Sequence, residues 1–263
     1  MLNIVATNQD HFAAAPAAHV FANQHIPKVT VVVPTLNEAK NLPHVLPRIP
    51  SWVHEVILVD GRSQDNTIAV ARELMPNIRV VLETRKGKGA ALQAGFAAAE
   101  GDIIVMIDAD GSMAPEEMNV YVGALLSGAE FVKGSRFMQG GGTNDMEFYR
   151  RLGNWGLMML VRLGYGGRYS DLCYGYNAFW THTLPALDLD ADGFEIETLM
   201  NIRALKAGLK IAEVPSYEAE RIHGVSNLRT IPDGFRVLRT IIKEKFVGKQ
   251  QVSVETAVTP VWA

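Results

Sequence analysis

The stretch Gly101–Ser112, "GDIIVMIDADGS", decides how the chain is read. Ile103 to Ile107 form an apolar run of strand length, and Asp108 and Asp110 follow with only Ala109 between them. An unbroken apolar run of this length is the pattern of a strand buried on both faces. Two carboxylates this close repel each other unless something positive lies between them. The plain reading is a solvated turn made by Asp110 and Gly111. The chemical reading is a site for Mg2+ or Mn2+, hard cations that take oxygen ligands and leave positions open for phosphate.

On either side of this stretch, strand and helix patterns alternate. "KVTVVV" (28–33), "EVILVD" (55–60), "IRVVLE" (78–83), "DIIVMID" (102–108) and "AEFVKGS" (129–135) read as strands buried on both faces, the first stopped by Pro34. Between them, helices are expected over Glu38–Ile49, from a cap at Ser63 or Asp65 to Met75, over Lys88–Glu100, and from Pro115 to about Ser127. Strands spaced by helices of this length imply an α/β fold with a mostly parallel central sheet flanked by helices. In such sheets ligands bind beyond the carboxyl ends of the strands. Polar groups collect there: Pro34, Thr35 and Glu38 after the first strand, Asp60 at the end of the second, Arg85, Lys86 and Lys88 after the third.

The whole chain narrows the function classes. Its 263 residues are 48% hydrophobic, enough for a sizeable core. A net charge of −3 and a pI near 6.2 give no nucleic-acid binder. One cysteine, Cys173, excludes an internal disulfide framework and points to a cytoplasmic setting. No segment reaches the ~20 apolar residues of a membrane span. Residues 1–27 read as a loose N-terminal extension, 28–247 as one domain, and 248–263 as a C-terminal tail. "YRRLGNWGLMMLVRLGYG" (149–166) and "DGFRVLRTIIKEKF" (233–246) mix apolar and basic residues. Packing on the protein's own core is the favoured reading for both, and attachment at the inner face of a membrane is the alternative.

Four blocks, "VVVPTLNEAKNL", "VILVDGRSQDNT", "RKGKGAALQAGFAAAEGD" and "VMIDADGSMAPEEM", resemble in order and spacing the family 2 glycosyltransferases. Within that family they are most similar to the dolichyl- and polyprenyl-phosphate mannosyltransferase and glucosyltransferase branch. The resemblance covers about Lys28 to Phe246. It implies a GT-A fold, Rossmann-like and nucleotide-sugar binding, and a metal-dependent inverting transfer of a hexose from a GDP-, UDP- or dTDP-sugar donor. The acceptor it implies is a lipid phosphate of the polyprenyl or dolichyl type.

The same resemblance assigns residues. Pro34, Thr35 and Glu38 would line the nucleotide pocket, Asp60 would contact the base, and Asp108 and Asp110 would hold Mg2+ or Mn2+ on the diphosphate. Read from the residues alone, Lys86 and Lys88, set among Gly87 and Gly89, form either an exposed basic turn or a site that neutralises phosphate at the start of the next helix. In "GSRF" Arg136 would contact an anionic group, and Asp171 in "SDLCYGYNAF" and Glu197 in "FEIETL" are the candidate bases. "ERIHGVSNL" matches the family's Arg-x-x-Gly-x-Ser-Lys through Arg221, Gly224 and Ser226, with Asn227 in place of Lys. The family often has Tyr where this chain has Thr35. Taken singly, each has a plainer reading: Asp171 as a turn cap, Arg221 as a surface partner of Glu218 or Glu220, Glu195 as a favourable first-turn charge and His223 as a loop residue. A homo-oligomer remains an open partner.

Three alternatives stand beside this expectation. A soluble transferase would act on a hydroxyl of a small molecule or glycan. A nucleotidyltransferase would place a Gly-rich loop after the first strand, where "PTLNEAKNL" has no glycine. A non-catalytic nucleotide-sugar-binding protein would bind without turnover.

Overall fold

The structure, a computed structural model, describes residues 26–144 and 146–247. Most of the extension assigned to 1–27 and all of the tail assigned to 248–263 lie outside the described residues.

In chain order the elements are β1 (Val29–Thr35), α1 (Leu42–Val45), β2 (Glu55–Asp60), α2 (Thr67–Leu74), β3 (Arg79–Leu82), α3 (Lys88–Ala98), β4 (Ile103–Met106), α4 (Met118–Leu126), β5 (Phe131–Ser135), β6 (Gly142–Thr143), α5 (Phe148–Tyr165), β7 (Asn177–Trp180), α6 (Leu184–Leu187), α7 (Ile196–Ala207), β8 (Ile211–Pro215), β9 (Tyr217–Glu218) and α8 (Thr230–Phe246). Seven strands form one sheet in the order β3-β2-β1-β4-β7-β5-β8, and β6 pairs with β9 in a small second sheet. Every pair in the large sheet is parallel except those of β7, which runs antiparallel to both β4 and β5. The expected mostly parallel sheet flanked by helices is the one observed.

Alternate residues of each strand feed two cores, as the period of two requires. Val31, Val33, Leu58 and Val105 pack on one face with Leu42 of α1, Ala71 of α2 and Tyr121 of α4. Val32, Ile57, Val59, Ile104 and Met106 pack on the other with Leu92 and Phe96 of α3 and Met200 of α7. A smaller third cluster joins Val161 of α5, Ile202 of α7 and Val237 and Ile241 of α8.

Three expectations need correction. Pro34 does not stop β1, because Thr35 is still paired with Asp60. Val29 and Thr35 turn their carbonyls to the β2 side and Val32 turns its own to the β4 side. The donor that Pro34 lacks would therefore face the β4 side just past the last β1–β4 pair, Val32 with Met106, so pairing with β4 ends there while pairing with β2 runs on. The helix expected over Glu38–Ile49 shrinks to α1 and a 3-10 turn at Leu46–Arg48, since Pro43 and Pro47 each withhold an N–H. The third strand is not buried on both faces: β3 is an edge strand, and Leu82 is 69% exposed.

The favoured core reading of the two amphipathic segments holds for one stripe of each. α5 buries Asn154 and Val161, and α8 buries Asp233, Val237, Ile241 and Glu244. Phe148, Leu152, Trp155 and Leu163 of α5 stay exposed, as do Ile231, Phe235 and Phe246 of α8. Among the described residues no helix is long and apolar enough to cross a membrane.

Candidate active site

The carboxyl ends of β1, β2 and β4 open onto a cavity of about 250 Å3 that Thr35, Glu38, Lys88, Asp108, Asp110, Glu197 and Arg221 help to line. It adjoins an outer cavity of about 940 Å3 bordered by Asn37, Arg62, Lys86, Asp192, Glu195 and Arg229. Gly87 joins the two. Its φ of +119° and the 2.0 Å separation a Cβ would have from the Asp192 carbonyl oxygen leave only glycine there. That close approach brings the turn before α3 against the loop that leads into α7.

Asp108 and Asp110 are each paired with a different cation that the chain itself supplies. Lys88 Nζ, from the first turn of α3, sits 2.6 Å from Asp108 Oδ1 and 2.7 Å from Glu197 Oε1. Burial works against the Lys88 charge, but Asp108 and Glu197 outweigh it and hold its pKa above the ordinary value. Burial, with help from Asp110 and Glu197 and against the pull of Lys88, pushes the Asp108 carboxyl up to about 6. Arg221 bridges Glu38 at 2.9 Å and Asp110 at 3.0 Å. Asp110 also accepts from the Ser112 backbone N–H and hydroxyl at 3.0 and 2.7 Å. Arg221 is thus no surface partner of Glu218 or Glu220; it closes the 216–229 segment over the site, where Ile222 N–H donates to the Asp110 carbonyl.

Deeper, Arg136 is held on two sides. Its Nε and Nη2 donate to the two oxygens of Asp171 at 2.7 and 3.0 Å, and Nη1 donates to Glu218 at 2.9 Å. The guanidinium lies 4.7 Å from the centre of the Tyr174 ring. Burial and, more strongly in sum, Arg136 and Lys133 act on Asp171 in opposite senses, and its carboxyl ends below the ordinary range. Asp171 is wholly buried with both oxygens engaged, so the geometry does not present it to the cavity as a base. Glu197 lines the cavity.

The other expected residues fall as follows. Asp60 accepts the Arg62 and Ser63 backbone N–H groups through Oδ2, while its buried Oδ1 has no partner. Thr35 donates to the Val59 carbonyl. Pro34 and Ser226 line the inner cavity, and Lys86 the outer one. Glu195 caps Gly193 N–H ahead of α7, and His223 packs 5.7 Å from His44. Residues the sequence did not single out are Tyr174, Lys133 and Arg150, which also lines the inner cavity, and Glu218 partners Arg136 rather than Arg221.

Among the described residues no three His, Cys, Asp or Glu side chains converge as a self-sufficient metal cage. Four carboxylates (Glu38, Asp108, Asp110 and Glu197) face two cations, Lys88 and Arg221, at the strand ends. That excess of carboxylate oxygen suits a hard divalent cation whose remaining positions a diphosphate fills.

A doubly covered, mostly parallel sheet with its acidic pair at the end of β4 is the GT-A architecture. The chain belongs to glycosyl transferase family 2, whose profile matches residues 30–181, more than half of it. The family expected from the four sequence blocks is the family found. The chain is 32% identical over 211 residues to dolichol-phosphate mannosyltransferase of Pyrococcus furiosus, covering 77% of this chain and 59% of that one. It is 33% identical over 214 residues to polyprenol monophosphomannose synthase of Mycolicibacterium smegmatis, covering 76% and 81%. Among solved structures it resembles glucosyl-3-phosphoglycerate synthase of Mycobacterium tuberculosis in complex with Mn2+, uridine diphosphate and glucosyl-3-phosphoglycerate. That match has a TM-score of 0.68 at 26% identity and covers 86% of this chain and 82% of the other.

Proposed function

We propose that the protein transfers a hexose, with inversion, from a nucleoside-diphosphate sugar to a polyprenyl phosphate. The observation that carries this reading is the convergence of Asp108, Asp110, Glu38 and Glu197 on Lys88 and Arg221 at the carboxyl ends of the sheet. The likeness to two polyprenyl-phosphate mannosyl transferases supports the acceptor class.

In this reading Asp108 and Asp110 would hold Mg2+ or Mn2+, which supplies positive charge for the departing diphosphate. Lys88 and Arg221, now neutralising those carboxylates, stand where diphosphate oxygens would arrive, and Lys86 flanks the outer cavity. The buried, unpartnered Asp60 Oδ1 would accept an N–H of the base. Fixed charge of this kind is a large catalytic term because it needs no rearrangement during reaction. The acceptor oxygen attacks the anomeric carbon as the bond to the diphosphate breaks. A lipid phosphate is already ionised near neutral pH and needs no base. A hydroxyl acceptor would need Glu197 to take its proton, a contribution of ~10²–10⁴-fold.

The exposed apolar residues of α5 and α8 share their helices with Arg150, Arg151, Arg162, Arg236, Arg239, Lys243 and Lys245. That composition supports peripheral contact with an anionic leaflet beside the cavity, which Arg150 helps to line. A second reading, transfer to a small phosphate-bearing acceptor, draws on the likeness to glucosyl-3-phosphoglycerate synthase in complex with phosphoglyceric acid.

The test has two arms. Calorimetry with Mn2+ and GDP, UDP or dTDP should show metal-dependent binding of one nucleotide, lost in Asp110→Ala. Incubation of the matching labelled sugar nucleotide with polyprenyl phosphate should move label into the lipid extract. Label appearing instead on a water-soluble phosphate acceptor selects the second reading. Nucleotide binding with no transfer to either acceptor selects a non-catalytic binder.

A further inference from the structure

Lys133 is a lysine in the middle of a buried strand. It lies in β5 between Val132 and Gly134 and is 0% exposed. Its Nζ donates to the Tyr174 carbonyl at 2.7 Å and, at longer range, to Asn177 Oδ1 at 3.5 Å. Asn177, also 0% exposed, stands directly across the β5–β7 ladder from Lys133. Its Nδ2 donates to the Gly175 carbonyl at 3.3 Å. Two cross-strand neighbours therefore hold two successive carbonyls of one short segment.

That segment presses on the acidic cluster. A Cβ on Gly175 would lie 2.7 Å from Glu197 Oε1, 2.8 Å from Lys88 Nζ and 3.2 Å from Asp108 Oδ2. The backbone at Gly175 is thus a wall of the space in which these three side chains meet. A buried ammonium is a poor route to stability, since desolvation opposes it and an apolar side chain of similar size costs less. Its geometry here serves the wall.

We propose that Lys133 is a positioning residue: with Asn177 it pins the Tyr174–Gly175 peptide against Lys88, Asp108 and Glu197 and so fixes the floor of the cavity. The pin itself stands on geometry alone. Only its consequence, that donor binding depends on it, rests on the transferase reading.

The chain's single cysteine reports on the pin. Cys173 precedes the held peptide and lines the cavity. Burial pushes its thiol up to about 12, while the nearby Lys133 charge pulls the other way. With the geometry unchanged, Lys133→Met would therefore slow alkylation of Cys173. A loosened segment would speed it. We expect iodoacetamide to modify Cys173 about 10-fold faster in folded Lys133→Met than in the wild type, through local opening. Val132→Ala, which thins the adjoining core and leaves both carbonyls held, should keep the wild-type rate. If Lys133→Met does not fold, Asn177→Ala removes the second tie and is read in the same way. A rate at or below wild type in the folded variant overturns the proposal.

Calorimetry supplies the functional half. Gly175→Ala crowds the same cluster, so its loss of Mn2+-dependent nucleotide affinity should combine less than additively with that of Lys133→Met. Full additivity overturns the link between pin and donor site. A wild-type protein that binds no nucleotide overturns the transferase reading, while the alkylation rates still decide the pin.

Discussion

Lys88 and Arg136 both sit between two carboxylates, and the two arrangements behave differently. Lys88 lies between Asp108 and Glu197, and Arg136 between Asp171 and Glu218. Asp108 keeps 26% of its side chain exposed, whereas Asp171 keeps none. The Arg136 group uses planar, two-pronged bonds that fix every oxygen of Asp171. The Lys88 group uses a single point charge among more carboxylates than it can neutralise. One is built to stay as it is, and the other is built to accept a further positive charge. The same pairing of residue types thus gives scaffold in one place and, in the proposed reading, a binding site in the other, with exposure and donor geometry deciding which.

The largest effect should come from breaking the sealed group. Asp171→Ala strands a buried guanidinium with Glu218 alone and should lower stability by ~3–5 kcal/mol, read as a shift in urea midpoint. Asp108→Asn, which removes a charge from a crowded cluster, should cause no such loss and at neutral pH should leave stability unchanged or raise it by up to ~3 kcal/mol. Equal losses in the two variants would end the distinction. Next, Asp110→Ala or chelation of divalent cations should weaken nucleotide binding by ~100-fold or more, about 2.7 kcal/mol, with the fold intact by circular dichroism.

Titration separates the two groups by sign. The raised Asp108 pKa means that between pH 4 and about 6 the folded state holds a proton the unfolded state has lost. Stability of the metal-free protein should therefore fall as pH rises through that window, by on the order of 1–3 kcal/mol, and Asp108→Asn should flatten the slope. Asp171, held below its ordinary value, gives the opposite slope: its contribution is present above pH 4 and is lost on further acidification. The smallest effect concerns Arg221. Arg221→Lys keeps the charge but cannot span Glu38 and Asp110 with one fork, and nucleotide affinity should drop ~3–10-fold.

Much of the proposed donor side was legible because its signals are local. Strand-end position marked Asp60, Asp108 and Asp110, and β2 matches its expected limits residue for residue. The partners were not legible, because they come from far along the chain. Lys88 meets Glu197 across 109 residues, and Arg221 meets Glu38 across 183. Asp171 stood out as a residue, but its role depends on Arg136, and no spacing rule links the two. β7 went unmarked: "NAFW" is short, and its reversed direction leaves no trace in hydrophobic pattern. Lys133 did leave a signal, a charge inside the apolar run of β5, which the neighbouring "GSRF" block overshadowed.

The reversed direction of β7 has a consequence for how the molecule assembles. β5 does not touch β4; β7, whose residues are made some 40 positions after those of β5, lies between them. The sheet cannot close until that late strand threads into the gap, a non-local pairing of the kind that slows folding. Because β7 is reversed, its insertion also carries the Tyr174–Gly175 peptide to the strand-end edge. A chain still emerging from synthesis can thus order β1 to β4 and display Asp108 and Asp110, yet lack the wall that closes the cavity. Closure of the sheet and competence of the site are then one kinetic event, and incomplete chains would hold their acidic pair without acting on it.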